Sequence, residues 1–297
     1  MMSKLQQIRR WCASARPVFV CGLERSGTST LQLALSRHPA LFPVRDVYET
    51  FAFTQPQRLR DDPMPGMARA YVGGPIHARQ FQRLALELSP EHEPLPDHDL
   101  IRLFFHYAAH RTYPGREPLE KTPGHVRRIP LMLKLFPQAR VIACTRDPVE
   151  IVASYRKRLA KEQSLGKPRD AWAWLDKTPE QLIQHFRQTS QRLAEAAQAH
   201  PGRVFVCPYD WLTGSPEAAL RQLCDFAGLP YDPALLEASG GRGRVDELLS
   251  QPIGRREAAD TTPWVDADTA AQVRAATAPL MPLWNTPGTP HPEDRQT

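Results

Sequence analysis

One stretch constrains this chain more than any other: residues 17–31, PVFVCGLERSGTSTL. It opens on an apolar run of β-branched and aromatic residues, Val18 to Cys21, which predicts a buried strand. A loop follows with Gly22 and Gly27 at its ends. Leu31, Leu33, Ala34 and Leu35 then give a helical pattern that His38-Pro39 stops. A buried strand, a tight glycine loop and a helix N-terminus together form an anion site, because orphan backbone amides converge there and the helix dipole adds partial positive charge. The two glycines have the spacing of the phosphate-binding loop G-x-x-x-x-G-K-[ST]. Its lysine is missing. Thr28 stands in that place, Ser29 follows, and the cation is Arg25 inside the loop. The loop is therefore expected to hold a phosphate, but not as an ATPase or kinase holds a γ-phosphate. The rival reading of the stretch alone is an ordinary strand–loop–helix corner with chance glycines.

The rest of the chain supplies a setting. Strands are expected at Pro118 to Pro123, Ala139 to Thr145 and Arg203 to Cys207. Helices are expected at Lys4 to Ala13 (beside the first strand), Phe81 to Leu88, Leu100 to Arg111, Ile129 to Phe136 and from Pro148 through Tyr155. Further helices are expected at Pro179 to Ala199, from Pro216 to Gly228 with Ser215 as N-cap, and at Ala267 to Leu283 with a break at Pro279. Residues 43–51 have no clear period, 54–75 and 238–263 read as irregular, and 287–297 as a disordered polar tail. Apolar strands alternating with helices predict an α/β fold, a central mostly parallel sheet flanked by helices in three layers. Ligands in such sheets gather at the carboxyl ends of the strands. Arg25, Lys121 and Arg146-Asp147 all fall at strand ends, so the fold rule brings together residues far apart in sequence.

With 297 residues and 41% apolar composition the chain can bury a large core. The formal net charge of +6 fits an anionic ligand. Basic runs are limited to Arg156-Lys157-Arg158 and do not alternate with aromatics, which argues against nucleic acid. The five cysteines are an odd count; Cys21, Cys144 and Cys207 lie in apolar runs and none forms a metal-ligand pattern, which fits a reducing compartment. The N-terminal residues have no apolar signal core and no stretch reaches membrane-spanning length, so a soluble cytoplasmic protein is expected.

These motifs resemble those of the sulfotransferases that use 3′-phosphoadenosine 5′-phosphosulfate (PAPS), especially the bacterial and tyrosylprotein-type branch. The segment from Leu23 to Leu31 is similar to that family's 5′-phosphosulfate loop, and His38-Pro39 to the pair that often follows it. Glu120-Lys121-Thr122-Pro123 resembles its Lys-x-Pro strand end. Leu135 to Ile142 followed by Arg146-Asp-Pro and Ser154 resembles its 3′-phosphate site, with Arg and Ser eight apart. Tyr209-Asp-Trp-Leu, Pro216-Glu and Phe226 to Pro230 resemble its C-terminal segment. The resemblance covers about residues 17–232. It implies a P-loop-like fold over one domain, residues 1–286, with residues 238–286 closing on the nucleotide. It also implies PAPS as co-substrate, 3′,5′-adenosine bisphosphate as product, no metal, and an acceptor bearing a hydroxyl or amine.

The implied roles follow the needs of sulfuryl transfer: positioning, neutralised charge and a base on the acceptor. Arg25, with Ser26, Gly27, Thr28, Ser29 and Thr30, would hold the 5′-phosphate, and Arg25 would also stabilise the leaving oxygen. Lys121 would neutralise the sulfuryl oxygens, Arg146 and Ser154 would take the 3′-phosphate, and Glu49 would be the general base. Asp46 is a second candidate for the base, since the family's acidic residue has no fixed offset from the loop. Tyr48 to Phe53, Trp172 and Trp174 could line an acceptor pocket or the core, and the loop with Gly254-Arg255-Arg256 could close over the nucleotide. The rival classes are a P-loop NTPase or small-molecule kinase and a non-catalytic nucleotide-binding protein.

Overall fold

The computed structural model describes residues 2–45, 49–60, 75–90, 93–111, 113–237, 253–254 and 260–288, with the backbone alone at 75–78. Among these residues five parallel strands form one sheet in the order β2, β3, β1, β4, β5: β1 Val18–Gly22, β2 Leu41–Pro43, β3 Glu117–Lys121, β4 Arg140–Thr145 and β5 Val204–Pro208. Central β1 is buried throughout, and its side chains alternate between the two faces. Phe19 and Cys21 join one core cluster; Val18 and Val20 join the other. The edge strand β2 has only three residues, too few to carry a period, and ends on Pro43, which an edge tolerates.

Among the described residues the longer helices are α1 Lys4–Ser14, α2 Thr28–Leu35, α3 Pro75–Glu87, α4 Asp97–Arg111, α5 Ile129–Leu135, α6 Pro148–Ser164, α7 Pro179–Ala199, α8 Tyr209–Gly214, α9 Pro216–Ala227, α10 Ala267–Thr277 and α11 Met281–Asn285, with a single helical turn at Arg169–Trp172. Both faces of the sheet are covered by helices, as the alternation predicts. α1 packs chiefly across α4 rather than against β1, with Arg9 bonded to Asp99 at 3.0 Å. A full capping box at Thr178 and Gln181 starts α7. Ser215 is the N-cap of α9, as expected, but caps through its backbone. It ends α8 through its amide, bonded to the Trp211 carbonyl, and starts α9 through its carbonyl, bonded to the Ala219 amide. Its backbone serves both helices at φ −142°, and its side chain makes no cap bond. The break at Pro279 is present as a short 3-10 turn between α10 and α11. Beyond α11, Gly288 exchanges two backbone bonds with Val206 of β5; residues 289–297 lie outside the described residues.

Two contacts hold the β1–α2 unit, one in the turn that leads into β2 and one at the carboxyl end of β1. His38 Nε2 lies 2.7 Å from the Pro230 carbonyl while Nδ1 accepts the Ala40 amide at 3.1 Å, which ties the turn after α2 to the segment after α9. Gly22 has φ +130°, and a Cβ there would lie 2.2 Å from the Cys144 carbonyl oxygen of β4. Only glycine lets β1 leave the sheet this close to its neighbour. Gly22→Ala is expected to cost about 2–5 kcal/mol, from left-handed strain plus overpacking, or roughly 3–8 °C in Tm. Gly166→Ala, at φ +64° with open space around it, is expected to cost only about 1–2 kcal/mol. Equal losses in differential scanning calorimetry would contradict the close-approach argument.

Candidate functional site

The site is built on the loop from β1 to α2. Arg25 sits at φ +70°, a left-handed conformation that a non-glycine residue adopts at a cost of about 1–3 kcal/mol. The turn is braced from below: the Ser26 hydroxyl lies 2.6 Å from the Leu23 carbonyl and 3.0 Å from the Cys144 carbonyl. Gly27 at φ +92° is the N-cap of α2. A Cβ there would fall 2.3 Å from the Tyr209 ring, so the ring lies directly against the loop. The first backbone bond of α2 runs from the Leu31 amide to the Gly27 carbonyl. The amides of Thr28, Ser29 and Thr30 precede it and are the helix's orphan donors.

β4 delivers the second cation. Arg146 is bonded to Glu150 Oε2 by Nε at 2.7 Å, and its guanidinium lies 4.6 Å from the centre of the Tyr209 ring. Its Nη1 also reaches the Arg25 carbonyl at 3.4 Å. Ser154, two turns into α6, accepts the Arg25 Nε–H at 3.0 Å. Arg25, Arg146 and Ser154 thus form one connected group across the β1 and β4 ends. Asp147 is occupied as the N-cap of α6, accepting the Val149 and Glu150 amides at 2.8 and 3.0 Å.

β3 delivers the third. Lys121, paired with Val20 in register, is 4% exposed, and its Nζ lies 3.8 Å from Glu49 Oε1. Burial holds the Lys121 ammonium below its ordinary range; Glu49 and Glu120 oppose this, and Arg45 and Arg25 add to it. Burial likewise pushes the Glu49 carboxyl above its ordinary range, with Lys121 opposing and Glu24 and Glu120 adding. The Arg45 guanidinium donates to the Glu49 carbonyl and so holds the backbone of that residue. Asp46, Tyr48, Arg255 and Arg256 lie outside the described residues. Phe53 belongs to the core, and Phe51 is half-buried under the Arg58 guanidinium. Trp174 is 45% exposed with its edge on Tyr155, and the Trp172 indole donates to the Lys167 carbonyl.

Several neighbours were not apparent as site residues in the sequence. Glu24, next to Arg25, accepts His185 Nε2 at 2.8 Å and the Tyr155 hydroxyl at 3.5 Å. Burial would raise the Glu24 carboxyl, but His185, a backbone hydrogen bond and Arg127 together outweigh it and the net shift is downward. Tyr209 had a signal, its place at the end of β5; His185, in the middle of α7, had none. Among the described residues no group of three or more His, Cys, Asp or Glu side chains could hold a metal ion. No helix among them is long and apolar enough to cross a membrane.

Residues 17–233 match the model of the Sulfotransferase family. The chain belongs to the sulfotransferase family. It is 26% identical over 231 residues to an uncharacterized protein of Aquifex aeolicus, covering 75% of this chain and 27% of that one. It is 30% identical over 113 residues, 37% of this chain and 28% of the other, to omega-hydroxy-beta-dihydromenaquinone-9 sulfotransferase Stf3 of Mycobacterium bovis. The chain thus spans about a quarter of the length of the curated relatives it matches. Among solved structures, the sulfotransferase domain from the Synechococcus PCC 7002 olefin synthase superposes with a TM-score of 0.59 at 20% identity, over 89% of this chain and 95% of that one. The sulfotransferase domain from the curacin biosynthetic pathway gives 0.55 at 19%, over 89% and 98%. At such identity these likenesses concern the fold. The five-stranded parallel sheet with helices on both faces is the fold they share with this chain.

The charge balance at Glu49 has a checkable sign. Glu49 is expected to titrate above the ordinary carboxylate range in carbon-13 NMR. Lys121→Met removes an opposing cation and is expected to raise that midpoint further; Glu24→Gln removes a like charge and is expected to lower it. Midpoints that stay fixed in both variants would contradict the proximity of these groups.

Proposed function

We propose that this chain is a sulfotransferase that moves the sulfuryl group of PAPS to a hydroxyl or amine of an acceptor by in-line displacement, releasing 3′,5′-adenosine bisphosphate. The observation that carries the reading is the junction of two anion sites: the loop with Arg25, and Arg146 with Ser154, joined by the bond from Arg25 Nε to Ser154 Oγ. A ligand with phosphates at both the 5′ and 3′ positions matches such a pair. The residues fit it chemically, with orphan amides at one end and a planar guanidinium at the other.

PAPS supplies a sulfuryl group already bonded to a phosphate oxygen that can leave. The amides of Gly27 to Thr30, with the Thr28, Ser29 and Thr30 hydroxyls, hold the 5′-phosphate, while the Ser26 hydroxyl keeps the loop in shape. Arg25 neutralises charge on the leaving oxygen and Lys121 charge on the sulfuryl oxygens. Glu49 takes the acceptor's proton; its raised carboxyl is better matched to neutral pH than an ordinary glutamate. Arg146, oriented by Glu150 and Tyr209, binds the 3′-phosphate with Ser154. The name of the mycobacterial relative specifies an omega-hydroxy acceptor, which supports a hydroxyl as the acceptor group here. The kinase reading is weaker on two counts: Thr28 replaces the lysine, and Asp147, the strand-end carboxylate it needs for magnesium, caps α6 instead. One domain over residues 1–286 and a cytoplasmic location complete the proposal.

Ligand binding tests it first. The bisphosphate at about a hundred times its Kd is expected to raise Tm by roughly 4 °C in EDTA, from about 2.7 kcal/mol of linkage. ATP or GTP with magnesium is expected to give little. Arg146→Ala is expected to weaken the bisphosphate about ten- to 150-fold and to leave an analogue lacking the 3′-phosphate unchanged. A magnesium-dependent shift with ATP alone would promote the kinase. For the base, Glu49→Gln is expected to slow turnover by about 10²–10⁴-fold. An active Glu49→Gln beside a dead Asp46→Asn would make Asp46 the base.

A further inference from the structure

Residues 49–53 belong to neither helix nor strand, yet their backbone is bound at every step. The Thr50 amide donates to Thr122 Oγ1 at 3.1 Å, and the Phe51 amide to the same oxygen at 3.4 Å. The Ala52 amide donates to Thr50 Oγ1 at 3.2 Å, and the Phe53 amide to His125 Nε2 at 3.3 Å. Those acceptors converge on one buried carboxylate. The Thr50 and Thr122 hydroxyls each donate to Glu120 Oε1 at 2.7 Å, and His125 Nδ1 lies 3.0 Å from Glu120 Oε2. Because Nε2 accepts from Phe53, the ring proton sits on Nδ1 and is donated to Glu120. The Phe53 ring closes the arrangement, edge-on to His125 and to Phe19 at 5.1 and 5.3 Å.

Glu120 and Lys121 are consecutive on β3, so their side chains leave the strand on opposite faces. Lys121 meets Glu49, while Glu120 holds the segment that carries Glu49. Both ends of the Lys121–Glu49 pair are thereby referred to one strand end. From this geometry we infer that Glu120, His125, Thr122 and Thr50 form a buried clamp that positions the Glu49 carboxylate opposite Lys121. The inference rests on the reading of Glu49 as general base.

Two observations favour positioning over simple anchoring. A buried carboxylate is expensive, and an apolar contact would anchor a loop at lower cost. Burial would raise the Glu120 carboxyl, but His125, Thr122 and Thr50 outweigh it, so it stays an ionised acceptor. Phe51 is also held at φ +55°, a conformation that persists only where surrounding bonds over-determine it. It stands two residues from Glu49.

Removing Glu120 or His125 endangers the fold, so the test uses Thr50. Thr50→Val deletes one hydroxyl at nearly constant shape, and Thr50→Ser keeps it. Thr50→Val is expected to lower kcat about ten- to 100-fold, the scale of an ångström of misplacement, with KM for PAPS and affinity for the bisphosphate unchanged. Its Glu49 midpoint in carbon-13 NMR is expected to fall toward the ordinary range as the carboxylate gains water. Thr50→Ser is expected to restore both readings. A Thr50→Val protein with wild-type kcat and Glu49 midpoint would overturn the clamp, as would equal losses in both variants that track Tm. Should the wild-type enzyme form no sulfated product, the midpoint still decides. A shift in Thr50→Val alone supports the clamp and removes only the catalytic reading.

Discussion

Parallel pairing of β1 with β3 on one side and β4 on the other is the constraint on which the rest depends. Neighbouring strands lie about 4.8 Å apart, so three consecutive strand ends present their side chains to one small volume. Arg25 and Arg146 stand 121 residues apart in the chain, with Lys121 between them in sequence, and this register joins all three. The price in backbone geometry is visible in two places. Gly22 must pass the Cys144 carbonyl, and Arg25 holds a left-handed turn while its side chain is bonded to Ser154.

The electrostatics follow from burial. Lys121 and Glu49 are each taken from water, and each shifts toward its neutral form while the partner resists. Glu120 is buried still more deeply but shifts the other way, because three donors serve it. The same residue type therefore shifts in opposite directions: burial raises the Glu49 carboxyl, and its donors hold Glu120 as an ionised acceptor. Glu24 with His185 adds a further pair beside Arg25, with His185 on α7.

Much of this was legible in the chain itself. The apolar runs located β1, β4 and β5, a polar tip located β3, and the glycines with Arg25 located the loop. The spacing from Arg146 to Ser154 already implied a shared face of a helix start. What was not legible depends on contact rather than pattern. β2 is too short to show alternation, and Ser215 has the composition of a side-chain cap but serves two helices through its backbone. The Tyr209 ring against Gly27 and the bond between His185 and Glu24, 161 residues apart, have no local signature. Thr50 and His125 likewise read as ordinary polar residues until the fold brings them to Glu120.

We propose that this arrangement transfers a sulfuryl group. Mass spectrometry of a hydroxylated metabolite pool incubated with PAPS in EDTA measures it directly. A product heavier by one SO₃ group is expected, formed in step with 3′,5′-adenosine bisphosphate and lost with Arg25→Ala. Bisphosphate binding without any such product, or a phosphorylated product that requires ATP and magnesium, would contradict it.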